Sequence, residues 1–222
     1  KNPNFAKEAY QYYNVLVKWK DSRSINQLGI MYYRGKYVNI DKEEAKKYFK
    51  MAADYGLDLA MVNYANLLKE SNEINYDEII RYYKMAISKW NSTAMNNYGQ
   101  MLESGFGTEV NYEEAIKYYK MSINKGNADA MYNYGRMLEK GYGCTIDYEK
   151  AIYYYTIAIE QGHPEAMNKY VEMLQNGIRN VSNYKSVNQY FKMAIDKGNV
   201  DAMYNYGKML EKVLGVPRNK KE

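Results

Sequence analysis

Apolar and small residues recur along this chain in two alternating helical patterns. From Ala94, the positions Ala94, Met95, Tyr98, Gly99, Met101 and Leu102 are apolar or small, with polar residues between them. At 100° per residue they fill one arc of roughly 160°, the breadth of a buried helix face, and they do not follow the period of two that a strand needs. A second stripe follows at Ala115, Tyr118, Tyr119, Ser122 and Ile123. Gly105 and Gly107 stop the first helix, because glycine accepts the left-handed backbone that ends helices. Gly126 ends the second helix. Asn111 caps the start of the second helix, and Glu114 three residues on completes a capping box. Asp41/Glu44 and Asn75/Glu78 repeat that spacing, while Asp147/Lys150 and Asn183/Ser186 keep only the cap. Each helix is about 12–15 residues, or roughly 18–22 Å long.

The pair of helices then repeats. AMNNYGQMLESGFG at Ala94 reappears as AMYNYGRMLEKGYG at Ala130, AMNKYVEMLQNG at Ala166 and AMYNYGKMLEK at Ala202. Weaker copies begin at Ser24 and Ala60. The starts lie 36 residues apart, except for 34 between Ala60 and Ala94. The whole chain, 1–222, therefore reads as one array. Residues 5–20 form the second helix of a partial repeat. Repeats follow at 24–59, 60–93, 94–129, 130–165 and 166–201, and 202–222 is a further partial repeat. Both ends fall inside a repeat, which predicts a longer array in the intact protein, or at least missing terminal caps. Gly29, Ala65, Gly99, Gly135 and Gly207 share one slot of the first helix, and Ala52, Ala86, Ser122, Ala158 and Ala194 one slot of the second. Those slots predict close approach of paired helices, with tyrosines filling the space between neighbouring units. The expected fold is all-α: an α–α solenoid of stacked antiparallel helix pairs. A lone pair cannot bury its apolar face, so stacking supplies the stability.

The run A-x-x-x-L/Y-G-x-x-L/Y-x-x-G-x-G-x-x-x-D/N-x-x-x-A-x-x-Y-Y-x-x-A-A-x-x-G resembles the Sel1-like repeat, a relative of the tetratricopeptide repeat. Departures are local. The unit at Ala60 lacks two loop residues and both loop glycines, with Ser71 at the first, and has Trp90 at the terminal glycine. The unit at Ala166 has Arg179 at the second loop glycine and Val187 at the helix alanine. The resemblance implies a right-handed superhelix with first helices lining the concave side. It also implies a non-enzymatic role in assembling protein complexes. Relatives include adaptors of membrane ubiquitin ligases, regulators of cell-wall synthesis and bacterial proteins that act on host cells.

Composition narrows the chemistry. The 222 residues carry a net charge of +5, and lysines alternate with glutamates on the second helices as on a solvated face, which argues against nucleic acid as a partner. No apolar run is long enough to insert in a membrane. One Cys and one His exclude a disulfide framework and a Cys/His zinc cage. Cys144 and His163 sit at opposite ends of one helix, roughly 20 Å apart, too far for a dyad. Gly105-Phe106-Gly107 and Gly141-Tyr142-Gly143 follow helices rather than strands, so neither is a phosphate-binding fingerprint. No catalytic residue, metal ligand or cofactor is expected, and the chain does not read as an enzyme. The single Cys leans towards a reducing, cytoplasmic compartment. Sequons at Asn91 and Asn180 are no more than so Asn-rich a chain produces by chance. Two methionine rows, Met61/Met95/Met131/Met167/Met203 and Met31/Met101/Met137/Met173/Met209, fall within the apolar arc and read as core.

The candidate binding surface is a polar row on the first helices. One slot, at the edge of the apolar arc, holds Gln27, Asn63, Asn97, Asn133, Lys169 and Asn205. Three residues on stand Asn66, Gln100, Arg136 and Lys208. Amides offer donors and acceptors to an extended peptide backbone, and Arg136 and Lys169 suit a carboxylate. The expected function is a scaffold or adaptor that holds a peptide or partner protein on this face. The alternatives are a spacer within a larger multidomain protein and a secreted effector that meets host proteins. Oligomeric state is not legible.

Overall fold

The computed structural model describes residues 3–71 and 73–175, together with single helical positions at 192, 195, 200, 203, 204, 206, 207 and 210. Asn180, Asn183, Ser186, Val187, Ala194, Asn205, Lys208, Met209 and Arg179 lie outside the described residues. Among the described residues there are ten helices and no strand. They are α1 (Pro3–Val17), α2 (Ser22–Arg34), α3 (Lys42–Asp54), α4 (Asp58–Lys69), α5 (Tyr76–Ser88), α6 (Ser92–Ser104), α7 (Tyr112–Ile123), α8 (Ala128–Lys140), α9 (Tyr148–Glu160) and α10 (Pro164–Gln175). The even-numbered helices carry the first pattern of the repeat and the odd-numbered ones the second. The chain forms two compact units, Lys1–Val110 and Asn111–Glu222. Within each, sequence neighbours pack on one another, as in a solenoid.

The caps fall where the polar residues recur. Asp21, Asn91 and Asn127 accept from the amides of Ser24, Ala94 and Ala130 at the starts of α2, α6 and α8. Asp41, Asn75, Asn111 and Asp147 do the same for α3, α5, α7 and α9. Leu57 leaves α4 without a side-chain cap. First helices α2, α6 and α8 end on Gly35, Gly105 and Gly141 in the left-handed region, whose amides close onto Met31, Met101 and Met137. Ile40, Val110 and Ile146 then fold back over those glycines, which is why each connector carries an aliphatic residue while leaving it more than half exposed.

The core is assembled from the recurring small and aromatic slots. Ala52, Ala86, Ser122 and Ala158 are fully buried. The methionines of both rows are buried at 61, 95, 131 and 167 and at 31, 101, 137 and 173, whereas Met203 is 43% exposed. Opposite the glycine slot lies a ring from the second helix of the same repeat. A methyl group on Gly29 would meet Phe49 at 2.6 Å, and one on Gly135 would meet Tyr155 at 2.8 Å. Glycine is needed there for space, not for backbone freedom.

Neighbouring repeats are joined by a contact with its own spacing. Lys50, Lys84 and Lys120 of α3, α5 and α7 lie over Tyr64, Tyr98 and Tyr134 of α4, α6 and α8, at 5.5, 5.4 and 5.1 Å from the ring centroids. Each pair is worth about 0.5–1 kcal/mol at such exposed sites. Thr156 stands where the next lysine belongs, fourteen residues before Tyr170. It is buried and donates to the Ile152 carbonyl at 2.8 Å.

The departure at Trp90 has a local cost. Second helices α3, α7 and α9 are followed by Gly56, Gly126 and Gly162 at φ 87°, 79° and 84°, but Trp90 holds φ 62° with a side chain in the same region. A left-handed non-glycine residue costs about 1–2 kcal/mol. Trp90→Gly is expected to raise the melting temperature by about 2–4 °C, the shift that roughly 1 kcal/mol gives a chain of this size. Gly135→Ala is expected to lower stability by about 1–2 kcal/mol through overpacking against Tyr155, despite alanine's better helix propensity. Thermal and urea unfolding followed by circular dichroism measure both.

Candidate protein-interaction surface

In the first unit the polar row is a linked set of amides. Asn63 of α4 donates to the Oδ1 of buried Asn26 on α2 at 2.9 Å. Asn97 of α6 donates to the Oδ1 of Asn66 on α4 at 3.0 Å, and that oxygen also accepts from the Tyr83 hydroxyl at 2.6 Å. Asn96, 2% exposed, donates to the Asn97 oxygen at 3.3 Å. The row thus ties consecutive first helices to each other, with Tyr83 of α5 as its anchor. Asn63, Asn66 and Asn97 remain half-buried rather than sealed, Gln27 is half-buried and Gln100 is exposed.

Between α2 and α4 the same face opens into a cavity of about 470 Å³. Its lining includes Asn63, Asn66, Ile30, Leu67, Tyr33 and Glu70. The Glu70 carboxylate accepts from the Tyr33 hydroxyl at 2.6 Å and from Lys42 at 2.7 Å. Lys42 first, then Tyr33, holds it below the usual carboxylate range.

In the second unit the row is built differently. Asn133 is 4% exposed and Arg136 half-buried, and both already interact within the protein. Lys169 of α10 pairs with Glu172 at 2.7 Å. The Tyr155 hydroxyl, which crosses Gly135, donates to Glu139 at 2.7 Å. Burial, and then that carboxylate, push the phenol up.

His163, Cys144 and Asn91 have structural roles. His163 takes the capping place that asparagine holds in other repeats: its Nδ1 accepts from the Ala166 amide at 3.2 Å, its ring stacks on Tyr132 and its Nε2 faces Asp129 at 3.4 Å. The Cys144 thiol points at the Met137 carbonyl, and burial raises its pKa, so it is a poorer nucleophile than a free cysteine. Asn91, the first sequon, uses its oxygen to cap α6 and its amide nitrogen to reach Asp58 at 2.7 Å. Among the described residues no three metal-ligating side chains gather, and no helix is long and apolar enough to cross a membrane.

Reading residue types alone missed Asn26, Asn96 and Tyr83 as members of the network, and Arg34 and Lys69 beside the cavity. The first two carry a signal: they precede the chosen slot by one residue in the repeats at Ser24 and Ala94. Tyr83 was legible only as a core ring.

Burial pushes the Tyr83 hydroxyl up from its ordinary 10.0 to about 12. A raised value in the folded state means that the stability it brings is complete below the unfolded value and is lost as pH climbs through about 12. Tyr83→Phe is expected to cost about 1–2 kcal/mol at neutral pH, because Asn66 loses its strongest donor. It should also flatten the loss of stability between pH 10 and about 12, which urea unfolding across that range measures.

The family model for the Sel1 repeat matches residues 22–56, 92–127, 128–163 and 200–222. It passes over residues 1–21, which hold the N-terminal partial repeat, and over 57–91 and 164–199, which hold the repeats at Ala60 and Ala166 that depart from the motif. Among solved structures, a Sel1 repeat protein from Oxalobacter formigenes is 25% identical with a TM-score of 0.73, over 98% of this chain and 93% of that one. A protective antigen of uropathogenic Escherichia coli that displays the SLR fold is 24% identical, with a TM-score of 0.69 over 91% of this chain and 44% of that one. An immunity protein of Pseudomonas aeruginosa is 18% identical, with a TM-score of 0.57 over 94% and 79%. The last two likenesses are of fold alone. No curated protein matches the chain. Sel1 repeat proteins are generally protein–protein interaction scaffolds, and the fold is typically non-enzymatic. The repeated helix pairs and the matches over most of their length agree: this chain belongs to the Sel1 repeat family.

Proposed function

We propose that the chain is a protein-interaction scaffold that holds an extended segment of a partner against its first helices. One observation carries the reading: the amide row borders an open cavity between α2 and α4, and part of its hydrogen-bonding capacity is unused. Asn63 spends its nitrogen on Asn26 and keeps its oxygen. Asn66 spends its oxygen on Tyr83 and Asn97 and keeps its nitrogen. A spare acceptor and a spare donor on one helix match the alternating N–H and C=O of an extended backbone. Gln27 and Gln100 extend the same face along α2 and α6, and Asn133, Arg136, Lys169 and Asn205 occupy the corresponding slots further along the sequence.

A photo-cross-linking residue in place of Gln100, on α6, is expected to capture partner protein from the native cell. The same residue in place of exposed Lys117, on the second helix α7, is expected to capture several-fold less. Equal capture, or the reverse order, moves the binding surface off the first helices. Mass spectrometry of the adducts reads the result.

A further inference from the structure

We propose that the cavity between α2 and α4 takes an acidic and apolar peptide segment, with an apolar side chain on Ile30 and Leu67 and a carboxylate beside Arg34 and Lys69. The proposal rests on the reading of the first helices as a protein-binding face, and adds the chemistry of the partner.

The apolar floor is already in place. Leu67 and Phe49 line the cavity and are only 6% and 3% exposed, and Ile30 lies beside them half-buried. The volume, about 470 Å³, falls in the range of roughly 300–1,000 Å³ that small ligands and short segments occupy. Asn63 and Asn66 supply the spare acceptor and donor on the wall.

Charge selects the occupant. Arg34 and Lys69 stand in the last turns of α2 and α4, both line the cavity and both are exposed. Among the described residues neither has a salt bridge or side-chain hydrogen bond. Among the described lining residues Glu70 is the one carboxylate, and its charge is already met by Lys42 and the Tyr33 hydroxyl. The cavity therefore joins a small apolar floor to two cations that no carboxylate among the described residues pairs with. A cationic segment would be repelled, and a neutral one would leave the cations unmatched. A carboxylate meets both, and a guanidinium favours it further through paired hydrogen bonds. An apolar residue and an acidic one two positions apart in an extended chain project to the same side.

The test uses the full chain and a fluorescent peptide of repeating leucine–serine–aspartate–serine, with binding read by anisotropy. Asparagine, lysine and serine counterparts replace either the aspartates or the leucines. The aspartate peptide is expected to bind about tenfold tighter than the asparagine one, the sum of two exposed charge pairs. The lysine peptide is expected to bind more weakly still, and loss of the leucines should also weaken binding. Arg34→Gln with Lys69→Gln is expected to abolish the preference for aspartate while leaving the melting temperature unchanged, since both side chains are exposed. Equal affinity for aspartate and asparagine peptides overturns the charge assignment and leaves the first-helix reading standing. A preference that survives the double variant overturns the placement. Failure of every peptide to bind the wild type overturns the proposal, and cross-linking at Gln100 then decides separately whether the face binds protein.

Discussion

The close approach of the two helices in the repeats of Gly29 and Gly135 rests on a ring laid across bare backbone. Phe49 lies over Gly29, and Tyr155 over Gly135, so close that a single methyl group would force the ring to shift. That contact does two things at once. It buries a large apolar surface, about 1.5–3 kcal/mol for a fully hidden side chain. It also carries the ring right through the helix pair, so that a phenol there emerges among the polar groups of the first helix. Tyr155 reaches Glu139 in this way, and Tyr83 reaches Asn66 in a repeat whose slot holds Ala65. Where the ring is phenylalanine, at Phe49, no hydroxyl arrives, and Phe49 forms part of an open apolar floor instead. At this core position Tyr83 and Tyr155 thus bring a hydrogen bond to the first helix, whereas Phe49 brings only an apolar edge to the cavity.

Cohesion between repeats has a different source. The Lys50–Tyr64, Lys84–Tyr98 and Lys120–Tyr134 pairs keep one spacing through two repeat lengths, including across the shortened unit at Ala60. Shortening falls in the connector between α4 and α5 and leaves intact the fourteen residues that set each contact. A loop can lose residues, as the loop-closure cost of flexible segments is small. A helix-to-helix step between repeats cannot, because its length fixes which side chains face each other.

Much of the fold was legible because the same side chains do the same work in each copy. Periodicity identified the helices, the caps at Asp41, Asn75, Asn111 and Asp147, and the buried methionines. The lysines of the second helices were legible as a solvated face, and Lys50, Lys84 and Lys120 are exposed. Their second role over Tyr64, Tyr98 and Tyr134 depends on which ring a neighbouring repeat presents, and no pattern within one helix carries that. His163 reads as a turn residue, and its capping function follows only from the Ala166 amide that it accepts. The amide row was visible as a row, but an amide's sequence position does not say which of its two ends is already taken.

That last distinction separates construction from recognition on this surface. A polar group that is fully used inside the protein adds rigidity and offers a partner nothing, whereas one that is wholly free pays the full entropic cost of being ordered on binding. Asn63 and Asn66 lie between these limits. Each is held in place by one bond and retains the other end of its amide, so the orienting cost is met on folding rather than on association. Asn133, at 4% exposure, lies nearer the first limit, and Gln100, fully at the surface, nearer the second. Half-engaged amides beside an apolar floor are the part of the row that a partner can use with least loss, and in the first unit they stand side by side.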